Sequence, residues 1–192
     1  MKKIGISLRV QNIQPYNEKR DSISQDWMIF LQKLNLMPIL IPNNIDNIGN
    51  YISELKLDGI ILSGGDNIGD FPERDVTEKN IIEIAEKSSI PIIGICRGMQ
   101  VINNFFGGKL TKKDDEEHIN NNHGIVLSDD FQFSNTNSII VNSYHNNIIE
   151  FDDLGKNLIP FAKHENDNTI EGFRHIKLPI IGVMWHPERK QD

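Results

Sequence analysis

The chain has 192 residues, 38% hydrophobic and 24% charged, the balance of a globular protein able to bury one sizeable core. Its formal net charge of -7 argues against nucleic acid or an anionic membrane surface as the principal partner. A single cysteine excludes an intramolecular disulfide, and no signal-peptide or membrane-spanning run is seen, so a reducing, cytoplasmic setting is expected.

Lys3 to Arg9 carries Ile4, Ile6 and Leu8 at period two and reads as a strand. Asp21 to Leu34 places Ile23, Trp27, Phe30, Leu31 and Leu34 at helical spacing. The apolar run Pro38 to Ile41, closed by Pro42, suits a second strand, and Ile48 to Leu57 suits a helix. Gly59 to Leu62 is continuously apolar and stops at Ser63-Gly64-Gly65, as strands buried on both faces of a parallel sheet do. Val76 to Lys87 returns to helical spacing through Ile81, Ile82, Ile84 and Ala85. Ile90 to Ile95 is another apolar strand, followed at once by Cys96 and a helix from Arg97 to Phe106. This alternation predicts an α/β fold with a mostly parallel, doubly wound sheet.

The second half changes character. The charged run Lys112 to Glu117 and the cluster Asn120 to Asn122 read as exposed loop. Short strands at Gly124 to Leu127, Ser138 to Val141, Leu158 to Lys163 and Thr169 to Phe173 predict a small antiparallel region. Pro179 to Met184 is a last buried strand, ending at Trp185-His186-Pro187-Glu188. With no internal repeat, residues 1–192 are expected to form a single domain.

The turn at Cys96 has a definite physical logic. In Gly94-Ile95-Cys96-Arg97-Gly98 a strand ends and a helix begins, with a glycine two places to either side of the cysteine. Such an elbow projects the side chain above the sheet edge, and the helix N-terminus favours the reactive thiolate. The bland alternative is a buried core thiol, which most free cysteines are. A thiolate nucleophile needs a base and an oxyanion site. His186 lies past another strand end at the same sheet edge, and Glu188 is placed to orient its ring. Their plain alternatives are a loop histidine and a solvated carboxylate. The backbone N–H groups of Gly65 and Arg97 are the expected oxyanion donors. The six histidines show no metal-ligand spacing, and neither metal nor organic cofactor is expected.

Four segments, LSGGD from Leu62 to Asp66, GICRGMQ from Gly94 to Gln100, VNSYH from Val141 to His145 and GVMWHPE from Gly182 to Glu188, resemble the class I glutamine amidotransferase-like family. The resemblance implies its flavodoxin-like fold, a Cys96, His186, Glu188 triad and hydrolysis of a γ-glutamyl amide through a thioester. Arg97, the strand ending in Arg9 and the VNSYHNN segment look more like the free-standing γ-glutamyl hydrolase (peptidase C26) subgroup than like ammonia-channelling domains. By the same resemblance, Gln100 and the backbone around Ser143 and Tyr144 hold the amino-acid end of a small γ-glutamyl substrate, and His145 lines the leaving-group side. The stretch from Tyr16 to Trp27 is similar to the γ-glutamyl-CDP-amidate hydrolase branch, which acts in capsule phosphoramidate synthesis; Arg9, Arg20 or Arg97 would then contact phosphate. A γ-glutamyl-γ-aminobutyrate-type hydrolase, a glutaminase serving a separate synthetase (the less favoured case), and an inactive binding protein on the same fold are the rival readings. A homodimer is left open. Family members often run beyond the HPE motif into a closing helix, whereas this sequence stops at Asp192.

Overall fold

The computed structural model describes residues 1–113, 119–131 and 137–189. Its elements in chain order are β1 (Lys2–Ser7), β2 (Arg9–Ile13), β3 (Glu18–Ser22), α1 (Gln25–Lys33), β4 (Leu36–Ile41), α2 (Ile48–Leu55), β5 (Gly59–Leu62), α3 (Pro72–Ser88), β6 (Ile92–Ile95), α4 (Arg97–Phe105), β7 (Thr111–Lys112), β8 (Ile119–Leu127), β9 (Ser138–Tyr144), β10 (Asn147–Ile148), β11 (Leu158–His164), β12 (Ile170–His175) and β13 (Ile180–Val183). Nine strands make one sheet in the order β4-β1-β5-β6-β13-β12-β11-β8-β9. The pairs from β4 to β13 are parallel. From β13 onward every pair is antiparallel, so the antiparallel region continues the same sheet.

Alternation along the central strands divides the core. Ile60, Leu62, Ile92 and Ile180 face α2, α3 and α4, meeting Ile52, Ile81, Ile82, Met99 and Ile102. Ile6, Ile61, Ile95 and Val183 face the other way, onto Trp27 and Leu31 of α1. An apolar groove of about 760 Å³ runs beside α1, with Ile93, Ile181 and Trp185 in its wall. Among the described residues, no helix is long and apolar enough to cross a membrane.

Several boundaries differ from the sequence reading. The helix expected from Asp21 begins at Gln25, because Ser24 caps it, its Oγ accepting from the Asp26 N–H at 3.3 Å. The residues before it pair instead: β3 forms a hairpin with β2, Arg9 opposite Ser22 and Ile13 opposite Glu18. The expected helix from Val76 starts earlier, at Pro72, whose missing N–H costs nothing in a first turn. Asn121 and Asn122 lie in β8, opposite Ser143 and Asn142, and not in a loop. Of the charged run, Lys112 lies in β7 and pairs with Asn147 of β10, and residues 114–117 fall outside the described residues.

Candidate active site

Strand β6 ends in a turn occupied by Cys96, with φ 50° and ψ -105°, capping α4. A residue bearing a Cβ avoids that region unless its surroundings over-determine it. Here they do: the Cys96 N–H donates to Val183 O at 2.8 Å, and Cys96 O accepts from the Gln100 N–H at 3.1 Å. The flanking glycines remove the obstacles. A Cβ at Gly94 would stand 2.5 Å from the Gly98 carbonyl carbon, and one at Gly98 would overlap the Leu62 carbonyl oxygen. Strands β5 and β6 thus meet α4 backbone to backbone, and the thiol rises at the helix N-terminus, where the dipole favours an anion.

His186 and Glu188 come from the segment after β13, which pairs in parallel with β6 and so ends at the same edge. His186 Nδ1 donates to Glu188 Oε1 at 2.7 Å, with both side chains almost fully buried. A Cβ at Gly64 would be 2.6 Å from His186 Cε1, so the ring needs glycine there to sit beside Cys96. Burial alone would lower the imidazole pKa, but hydrogen bonds to Cys96 and Glu188, and their charges, outweigh it and raise it to about 9. His186 is therefore an imidazolium at neutral pH.

A raised folded value stabilises the fold fully below the unfolded pKa of about 6.5, and that contribution is lost as pH rises through about 9. Glu188→Gln removes one of the two raising partners. In the variant His186 is expected to titrate at lower pH, with the stability loss still beginning near the unfolded pKa of about 6.5 but smaller in total and complete at lower pH. An NMR titration of the imidazole Cε1 proton checks this, and an unchanged titration would contradict it.

The other residues singled out by sequence distribute unevenly. Gly65, Gln100, Tyr144, His145 and Arg9 line a pocket of about 400 Å³ together with Cys96 and His186. Gln100 Nε2 donates to Asn147 O at 3.3 Å. Tyr144 is part-exposed, its ring edge-on to His186 at 5.7 Å, while Ser143 is fully buried. His145 Nδ1 lies 3.2 Å from Asn147 O, and its Nε2 lies 3.6 Å from Glu171 Oε1. Arg9 Nε donates to Gly64 O at 3.1 Å. The guanidinium of Arg97 does not face a phosphate position: it is buried and paired with Glu78 and Asp75 of α3. Arg20 is exposed in the hairpin and pairs with Glu18.

A family model, glutamine amidotransferase class-I, matches residues 18–192. The chain belongs to the class I glutamine amidotransferase family. It is a hydrolase on that fold, related to the γ-glutamyl-CDP-amidate hydrolase of Campylobacter jejuni, with which it is 35% identical over 97% of this chain and 90% of the relative. It is 34% identical to anthranilate synthase component 2 of Methanocaldococcus jannaschii, over 71% of this chain and 66% of that one. Among solved structures, a candidate GMP synthase component from Thermoplasma acidophilum superposes with a TM-score of 0.73 at 25% identity, covering 99% of this chain and 86% of that one.

This glutamine amidotransferase-family site contains residues that the sequence reading did not single out. Asn142 grips the His186 backbone from both sides: its Nδ2 donates to His186 O at 2.9 Å, and its Oδ1 accepts from the His186 N–H at 2.8 Å. The motif VNSYH contains that asparagine, but only the fold brings β9 to the end of β13. Arg189 lines the pocket with its guanidinium over the Tyr144 ring, 4.1 Å from the centroid. Arg74 and Glu78 of α3 sit buried beneath the 63–66 loop.

Proposed function

We propose that the chain cleaves a γ-glutamyl amide by acyl transfer to Cys96. The observation that carries this is Cys96 on its strained elbow, sharing one pocket with His186, whose ring is itself held by Glu188. The sulfur attacks the γ-carbonyl carbon, and the developing oxyanion accepts from the Gly65 and Arg97 N–H groups. As the C–N bond breaks, His186 gives its Nε2 proton to the leaving nitrogen, and a γ-glutamyl thioester remains. His186 then takes a proton from water, the resulting hydroxide attacks the thioester, and glutamate leaves with Cys96 regenerated. Gln100 and the backbone of Ser143 and Tyr144 hold the amino-acid end; His145 and Arg9 face the leaving group. In this reading residues 1–192 act as one domain on a small molecule in a reducing cytoplasm, which keeps Cys96 a thiol.

The proposed leaving group is a nucleotide-linked phosphoramidate. The Campylobacter relative supports it by name and extent of match, and Arg9 and Arg189 supply positive charge at the pocket. A second reading, a glutaminase that supplies ammonia to a synthetase, is favoured by the relatives named as synthase components. The two separate when γ-glutamyl-CDP-amidate, γ-glutamyl-γ-aminobutyrate and glutamine are compared by glutamate release. The phosphoramidate is expected to show a kcat/KM at least about 10-fold above the others, about what one well-made charged contact supplies. A preference for glutamine would turn the assignment to the glutaminase reading.

A further inference from the structure

The two proposed oxyanion donors are both tied to one buried charge cluster beneath the pocket. Arg74 Nη2 donates to the carbonyl oxygens of Ser63 and Gly64, at 2.8 and 3.1 Å. In a trans peptide the C=O and the following N–H point in opposite directions. Anchoring the Gly64 carbonyl on Arg74, together with Arg9 Nε, which donates to the same oxygen at 3.1 Å, therefore aims the Gly65 N–H the other way, and Gly65 lines the pocket. No acceptor among the described residues takes that N–H. Gly65 sits at φ 106°, where glycine is free to adopt several orientations, so its own backbone does not fix this one.

The rest of the cluster reaches the second donor. Arg74 is fully buried, and its remaining nitrogens donate to Asp66 Oδ2 at 3.0 Å and Glu78 Oε1 at 3.1 Å. The same Glu78 oxygen accepts from Ser7 Oγ at 2.7 Å, and Ser7 Oγ accepts from the Ser63 N–H at 3.0 Å. The other Glu78 oxygen accepts from Arg97 Nη1. One carboxylate thus ties the guanidinium that orients Gly65 to the side chain of the residue whose N–H is the second donor. A buried ionic network of this kind contributes little net stability compared with apolar packing, so its value here lies in geometry.

We propose that Arg74 and Glu78 are positioning residues that hold the Gly64–Gly65 and Cys96–Arg97 peptide planes so that both N–H groups converge on the γ-carbonyl oxygen. This inference rests on the acyl-transfer reading of Cys96. Donors that act on the oxyanion lower the barrier without tightening ground-state binding. Arg74→Met is therefore expected to reduce kcat for γ-glutamyl-p-nitroanilide about 100-fold, with KM changed by less than about threefold. Alkylation of Cys96 by iodoacetamide provides the control, since displacement of iodide at a saturated carbon forms no oxyanion. Its rate is expected to match wild type. Arg74→Lys keeps the charge but cannot span all four partners, and about a 10-fold loss is expected. Added guanidinium ion should restore part of the activity of Arg74→Ala.

Loss of kcat with unchanged alkylation supports the inference. An Arg74→Met kcat within about threefold of wild type, or kcat and alkylation falling in parallel, overturns it. If Arg74→Met does not fold, Arg74→Lys carries the same comparison with the same outcomes. Cys96→Ala in the same assay separates the two layers. Persistent turnover there sinks the acyl-transfer reading, whereas an inactive Cys96→Ala beside wild-type-like Arg74 variants sinks only the positioning role.

Discussion

Cys96→Ala is expected to lower γ-glutamyl amide turnover by about 10⁴-fold or more, the scale on which removing a nucleophile acts. The remaining pocket supplies only binding and oxyanion stabilisation. The fold should barely respond. The elbow is held by backbone bonds to Val183 and Gln100, and loss of one buried sulfur costs about 1 kcal/mol, or about 3 °C in Tm for a chain of this size. Kinetics and thermal denaturation on the same preparation therefore part company: activity vanishes while Tm stays nearly constant. A variant retaining even a tenth of the wild-type rate would exclude Cys96 as the nucleophile.

The second large effect is on stability. Gly98→Ala places a methyl group onto the Leu62 carbonyl oxygen, and no rotamer change relieves it because the obstacle is backbone. Either α4 moves away from β5 or the strand distorts, at a cost of about 3 kcal/mol or more. The expected drop in Tm is about 10 °C. Activity should fall as well, since a displaced α4 carries the Arg97 N–H and the Cys96 turn with it. Gly107→Ala is the informative contrast. It too changes a glycine, at φ 84°, but nothing lies within 4 Å of the new Cβ. Only the backbone penalty applies, about 1 kcal/mol. Thermal melts of the two variants check this, and equal shifts would show that the close packing of β5 against α4 does not govern the elbow.

The pattern of what the sequence disclosed follows from burial. Gly59–Leu62 and the strand before Cys96 are continuous apolar runs with glycine punctuation, and they fold as such because the parallel core excludes water on both faces. The hairpin of β2 and β3 is mostly exposed and carries charged and amide side chains, so no hydrophobic period marks it. Asn121 and Asn122 were obscured for a similar reason: asparagine favours turns, yet the ladder to β9 overrides that preference. The charged pair on α3 was legible in principle. Arg74, Glu78, Ile81, Ile82 and Ala85 recur at helical spacing, so the two charges extend the buried stripe upstream. Charged side chains on such a stripe ask for buried partners, and the loop ending β5 provides them. The orientation of Arg97 was not legible. Its position beside the nucleophile suggested a ligand contact, whereas burial at the start of α4 sends its side chain to Asp75 and Glu78. Only the neighbouring helix, placed by the sheet order, makes that choice.

The covalent step is open to direct observation. Wild-type protein turning over a γ-glutamyl amide can be quenched in acid, digested and mapped by mass spectrometry. A γ-glutamyl thioester is expected on the peptide containing Cys96, lost on treatment with hydroxylamine and absent from Cys96→Ala. Steady turnover with no adduct at Cys96, or an adduct at another residue, would contradict it.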